Sequence, residues 1–210
     1  MIFLKISAFS IGIPIVLSFF FFKSIKGNLI PFALFIYFSA LLDMACGVLN
    51  TFHVHNNFIS HIDTLNEVVL LGYFYYTVFE NQRAKKFTLT AIILSATFVC
   101  INAFLIQGIE HFNSYSRMLS SVFFIVFALT YLRSLFISTP IKYLERDPVF
   151  WISTGTLFYF TGTLFVFVAF RNANFGLSDK VFTQIWYINS FFNILQNVLF
   201  GIAFICNRKT

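Results

Sequence analysis

Two acids, Asp43 and Glu67, stand inside long apolar stretches of this chain. An ionisable side chain at membrane depth is costly to hold, so each marks a functional candidate. Two carboxyls there can take up and release a proton, or give the polar contact for a ligand otherwise held by apolar walls. Asp43 lies ten residues before His53, and Glu67 nine residues after Phe58. At 1.5 Å per residue those offsets put the two carboxyls about 15 and about 14 Å below one membrane face. His61, Thr64 and Glu67 follow at offsets of three, which lines them up on one helical stripe leading inward from that face. Near the end of the chain Asn189, Asn193 and Asn197 recur at four-residue spacing beside Gln196, again on one face. Asn189 and Asn193 fall at about 12 and about 18 Å of depth by the same rise. Tyr159, Thr163 and Asn102 belong to the same layer. The candidate ligand-binding set is therefore Asp43, Glu67, Thr64, Asn189, Asn193, Tyr159 and Asn102. The competing role for the amides, Thr and Tyr is to bond one helix to another.

A second constellation gathers His53, His55, His61 and Asp63, with three of the chain's four histidines inside nine residues. Imidazole and carboxylate suit zinc or another transition metal, and histidine is also the side chain that titrates near neutral pH. The spacing opposes a metal site. On a helix His53 and His55 point apart, as do His61 and Asp63. Cys46, Cys100 and Cys206 are scattered in apolar segments without a CxxC pattern and read as packing residues. The last apolar run has no lysine for a retinal Schiff base, so no cofactor is expected. It also has no histidine, unlike the seven-helix metal-dependent lipid hydrolases. No GxSxG, HExxH or phosphate-cradling glycine loop occurs, nor do the paired half-sequences of a repeat-built transporter.

The elements that must position these residues are seven apolar runs, at 3–22, 29–53, 58–80, 87–107, 118–138, 148–170 and 181–206. Runs of this length read as spanning helices. Composition agrees: 59% of the 210 residues are hydrophobic, 33 are Phe and 10% are charged, against about 25% charged in soluble domains. The expected fold is all-α, a single polytopic domain of seven transmembrane helices. The formal charge of +6 does not point to nucleic acid, because the basic residues sit singly or in pairs at the ends of runs. Lys23, Lys26, Arg83, Lys85, Lys86, Arg133, Lys142, Arg146, Arg208 and Lys209 fall on one side, and Lys5, Arg117, Arg171 and Lys180 on the other. Ten against four places the N-terminus outside and the C-terminus in the cytoplasm. The first run lacks the small-residue site of a cleaved signal peptide.

Local signals support the runs. Asp147-Pro148 reads as an N-cap followed by proline at the first helical position. Pro14 should kink the first run, leaving a carbonyl for a neighbour to satisfy. Gly155 and Gly162 are seven apart and share a face, where small residues admit another helix. Tyr73, Tyr75, Tyr76 and Glu80 before Arg83, Lys85 and Lys86 read as an interfacial anchor.

The stretch His61-Ile62-Asp63-Thr64-Leu65-Asn66-Glu67, the segment Phe150-Trp151-Ile152-Ser153-Thr154-Gly155 continuing through Tyr159-Phe160-Thr161-Gly162, and the run from Trp186-Tyr187-Ile188-Asn189 to Asn197 carry a resemblance. They resemble small bacterial seven-helix membrane proteins, similar to the membrane sensor regions of histidine kinases. The resemblance implies a sensor or signalling module of the bacterial inner membrane. It would bind a small apolar ligand, a lipid or a proton, and act on a cytoplasmic partner such as a histidine kinase in trans. An intramembrane lipid-modifying enzyme, with or without a metal, a small-molecule or proton-coupled transporter and an assembly subunit are the alternatives.

Overall fold

A computed structural model describes residues 2–138, 141–173 and 179–207; for 138, 141–143, 169–173 and 179–182 only the backbone is described. Arg208 and Lys209 of the charge count lie outside the described residues, as do the side chains of Lys142, Arg171 and Lys180. The described chain is helical with no strand. The helices are α1 (Ile2–Phe9), α2 (Gly12–Phe20), α3 (Leu29–Thr51), α4 (Asn57–Asn66), α5 (Gly72–Val78), α6 (Gln82–Ile101), α7 (Ser114–Ser138), α8 (Pro148–Ala173) and α9 (Asp179–Cys206). A five-residue π turn, Glu67–Leu71, joins α4 to α5, and a second, Asn102–Ile106, extends α6. Six segments are long and apolar enough to cross a membrane: Ile2–Phe20, Leu29–Thr51, Gln82–Ile106, Ser114–Ile137, Pro148–Val168 and Thr183–Cys206. The molecule is thus an all-α protein of membrane type. The stretch 57–78 is not among the six; it carries His61, Asp63, Asn66 and Glu67 within two turns.

The chain forms two compact units, residues 1–25 with 121–210, and residues 26–120. In the first, α9 packs along α8 and against α1 and α2. The anticipated glycine face is there. A Cβ on Gly155 would come 3.1 Å from the Phe200 ring, and one on Gly162 would come 2.1 Å from the Phe192 ring. Both glycines therefore let α9 seat directly on α8. Asp147 caps α8 by accepting from the Val149 N–H at 2.9 Å, just ahead of Pro148.

The first run is two helices rather than one kinked helix. Proline cannot donate to the carbonyl four residues back, which is that of Ser10. The Ile13 N–H takes that carbonyl at 3.0 Å, tightening the chain into a turn. Ser10 Oγ donates to the Ser7 carbonyl at 2.6 Å. Asn193 Nδ2 donates to the same carbonyl at 3.2 Å and to Ser7 Oγ at 3.0 Å, and Asn197 Nδ2 donates to Ser10 Oγ at 2.7 Å. The carbonyl that Pro14 frees is thus taken within the chain, and the asparagine stripe of α9 bonds the Ser7 carbonyl and the Ser7 and Ser10 hydroxyls beside it.

In the second unit, α3 ends in a Schellman turn. The Val54 N–H reaches the Leu49 carbonyl at 3.0 Å and the His53 N–H reaches that of Asn50 at 3.2 Å, with His53 in the left-handed region at φ 55°. That geometry caps the helix end. Asn66 Nδ2 donates to Ser39 Oγ at 2.9 Å, tying α4 to α3. The rings of Phe32 and Phe74, both fully buried, lie 5.5 Å apart across α3 and α5. Asn81 caps α6 by accepting from the Arg83 N–H at 2.8 Å. This cap starts α6 five residues before the apolar run, so Arg83, Lys85 and Lys86 lie in its first two turns.

Candidate functional site

Asp63 and Glu67 stand four apart, so α4 and the π turn present both carboxyls on one side. Facing them is Arg117, in the first turn of α7. Its Nη1 donates to Glu67 Oε1 at 3.1 Å and its Nη2 to Asp63 Oδ2 at 2.5 Å. The Arg117 side chain is 10% exposed, that of Asp63 24% and that of Glu67 6%. A guanidinium offers its donors in a planar fork, which allows one arginine to hold two separate carboxylates. The second oxygen of Glu67, Oε2, is buried and has no hydrogen-bond partner. Asp43, on the surface of α3, lies within electrostatic range of Asp63 and Arg117.

A neutral polar chain runs beside this cluster. Thr64 Oγ1 donates to the Ser60 carbonyl at 2.8 Å and accepts from Asn113 Nδ2 at 3.0 Å. Asn113 Oδ1 accepts from Asn102 Nδ2 at 2.9 Å, and Asn102 Nδ2 also reaches Gln107 Oε1 at 2.8 Å. Gln107 Nε2 donates to Ser114 Oγ at 2.8 Å. These bonds fasten α4, the π turn after α6 and the start of α7 together. Asn102 is fully buried, and its own Oδ1 has no partner. Glu67 and Asn102 each open a π turn, so both departures from α geometry begin at a buried polar residue.

Of the ligand-binding set, Asp43, Thr64, Glu67 and Asn102 belong to the second unit, and Asn189, Asn193 and Tyr159 to the first. Within the first unit Asn193 is committed to Ser7, Asn189 Oδ1 accepts from Thr163 Oγ1 at 3.5 Å, and the Tyr159 ring packs edge-on to Phe160 at 5.1 Å. The four residues of the metal constellation do not converge. His53 is a helix cap and, like His55, is exposed. His61 Nε2 is 3.2 Å from the His111 carbonyl, and since a carbonyl accepts, that nitrogen carries a proton. His61 Nδ1 is buried without a partner, and Asp63 is taken by Arg117. Among the described residues no group of three or more His, Cys, Asp and Glu is placed to hold a metal.

Sequence reasoning missed Arg117, Asn113 and Asn66. Arg117 read as a loop charge because the apolar run begins at 118; the structure starts α7 at Ser114 and buries it. The available signal was the four-residue spacing of Asp63 and Glu67, which calls for a cation. Chemically, two carboxylates and one guanidinium carry a net charge of −1, and one added proton makes the cluster neutral. No family model matches the chain, and no curated protein or solved structure matches it.

Proposed function

We propose that the protein is a seven-span sensor of the bacterial inner membrane, N-terminus outside and C-terminus cytoplasmic, whose ligand is the proton. The observation that carries this reading is the Arg117–Asp63–Glu67 cluster with one Glu67 oxygen left without a donor. The seventh span in this reading is 57–78, helical throughout; its polar face is covered by Arg117 and the Asn113–Asn102 chain, which reduces the cost of placing it in lipid. With both acids ionised, the single guanidinium is shared. With one acid protonated, the pairing need hold only one carboxylate, and the packing of α4 against α7 loosens or shifts. A proton can bias two packings only by binding one of them better, and a cluster that gains or loses a pairing with each proton meets that condition. The π turn directly after Glu67 passes the shift to α5 and so to the basic start of α6. The resemblance to membrane sensor regions of histidine kinases supports a cytoplasmic kinase as the receiver.

The test uses the full chain in lipid nanodiscs with spin labels on α5 and α6 near Val78 and Gln82. The expected result is a distance distribution that differs between about pH 5 and about pH 8, the range in which histidine also changes charge, and that Glu67→Gln holds in one state throughout. A Glu67→Gln protein that responds like the wild type would remove the cluster from the mechanism. Proton flux through proteoliposomes that depends on Glu67, with no distance change, would replace the sensor by a carrier.

A further inference from the structure

We propose that the break between α1 and α2 binds one anionic phospholipid, with its phosphate on Lys5 and an acyl chain along the notch. An open groove of about 410 Å³ lies there, lined by Ile2, Ile6, Phe9 and Ile13, by Ile194 of α9 and by Lys5. The four apolar wall residues follow at offsets of four, three and four across the turn at Ser10–Ile11, close to the spacing of one helical face on each side of it. Such an apolar lining matches an extended hydrocarbon chain.

The polar groups of the groove decide the head. Ser10 also lines it, but its hydroxyl donates to the Ser7 carbonyl and accepts from Asn197, so it is committed to the protein. Lys5 is exposed and has neither ion pair nor hydrogen bond among the described residues. Its ammonium stands on a flexible apolar stem that can follow the groove wall while the charge reaches the headgroup layer. A lone point charge beside an apolar channel complements a phosphate monoanion with a hydrocarbon tail. A peptide helix would instead need a wider apolar face. Lys5 lies close to one end of the span, so the match holds whichever way the span crosses.

The experiment is native mass spectrometry of the full chain, exchanged into micelles holding equal amounts of phosphatidylglycerol and phosphatidylcholine with identical acyl chains. The expected result is one retained phosphatidylglycerol, with a preference over phosphatidylcholine about fivefold greater in the wild type than in Lys5→Gln, the effect of one lysine near a lipid headgroup. Lys5→Arg should keep the preference, and Ile6→Trp, which fills the notch, should lose the retained lipid of both kinds. Equal preference in wild type and Lys5→Gln would overturn the proposal, as would undiminished retention in Ile6→Trp.

Discussion

Arg117 joins the start of α7 to both acids of the 57–78 stretch. It is nearly buried and holds two acids, so its removal leaves two carboxylates without a counter-charge. Breaking a buried ion pair from one side costs about 3–5 kcal/mol. Arg117→Leu should therefore lower the unfolding free energy by that amount, measured by reversible unfolding in mixed micelles. Arg117→Lys should recover only part, because an ammonium cannot hold both carboxylates in one fork. Replacing all three of Arg117, Asp63 and Glu67 by leucine should come closer to wild type than Arg117→Leu, because the desolvated charges leave together. A loss below about 1 kcal/mol for Arg117→Leu would mean that the pairing is in effect a surface salt bridge. The sequence showed the acid at 67 but not its cation. Asp63 was drawn into the histidine constellation by proximity, although its four-residue offset from Glu67 was the more physical relation.

At the scale of elements, the α8–α9 pair is held by close approach at two glycines. A methyl group on Gly162 meets Cγ as well as Cδ2 of Phe192, at 2.5 and 2.1 Å, so rotating the ring about its own axis does not clear it. Gly162→Ala should cost about 1–3 kcal/mol, the usual range for overpacking, and the added change Phe192→Leu should recover part of it. Gly47→Ala is the control: it lies inside α3, a Cβ there meets nothing within 4 Å, and the change should cost nothing and stabilise by up to about 1 kcal/mol. A loss at Gly47 equal to that at Gly162, read from the same unfolding curves, would remove the helix contact as the explanation of Gly162. The glycine face and the Asp147 cap were legible because each follows from a local rule about one or two residues; Pro14 signalled a kink, and the chain instead turns at Ser10–Ile11, between two helices. The π turns were not legible. Each begins at a buried polar residue, Glu67 or Asn102, and no local propensity of Val68-Val69-Leu70-Leu71 or Ala103-Phe104-Leu105-Ile106 announces it.

For the whole molecule, six spans follow directly from length and hydropathy, while the proposed seventh and the orientation rest on charge and on Arg117 covering the polar face of 57–78. The positive-inside count itself needs correcting for Arg117, which is occupied by two acids and is not a free loop charge. Removing it leaves the bias stronger and of the same sign. In a background without Cys46, Cys100 and Cys206, His55→Cys should react with an impermeant maleimide in intact cells. Lys85→Cys should react only after the membrane is opened. The reverse pattern would invert the protein, and labelling of both from outside would remove 57–78 as a span. The clasp between Ser7 and Asn193 also sets a timetable for biosynthesis. Its partners are 186 residues apart, and at a synthesis rate of about 5–20 residues per second the broken helix waits about 10–40 s for α9. During that interval the bond from Ser10 Oγ to the Ser7 carbonyl shelters the exposed acceptor inside the helix itself, and the asparagines complete a join that the nascent chain had kept provisionally closed.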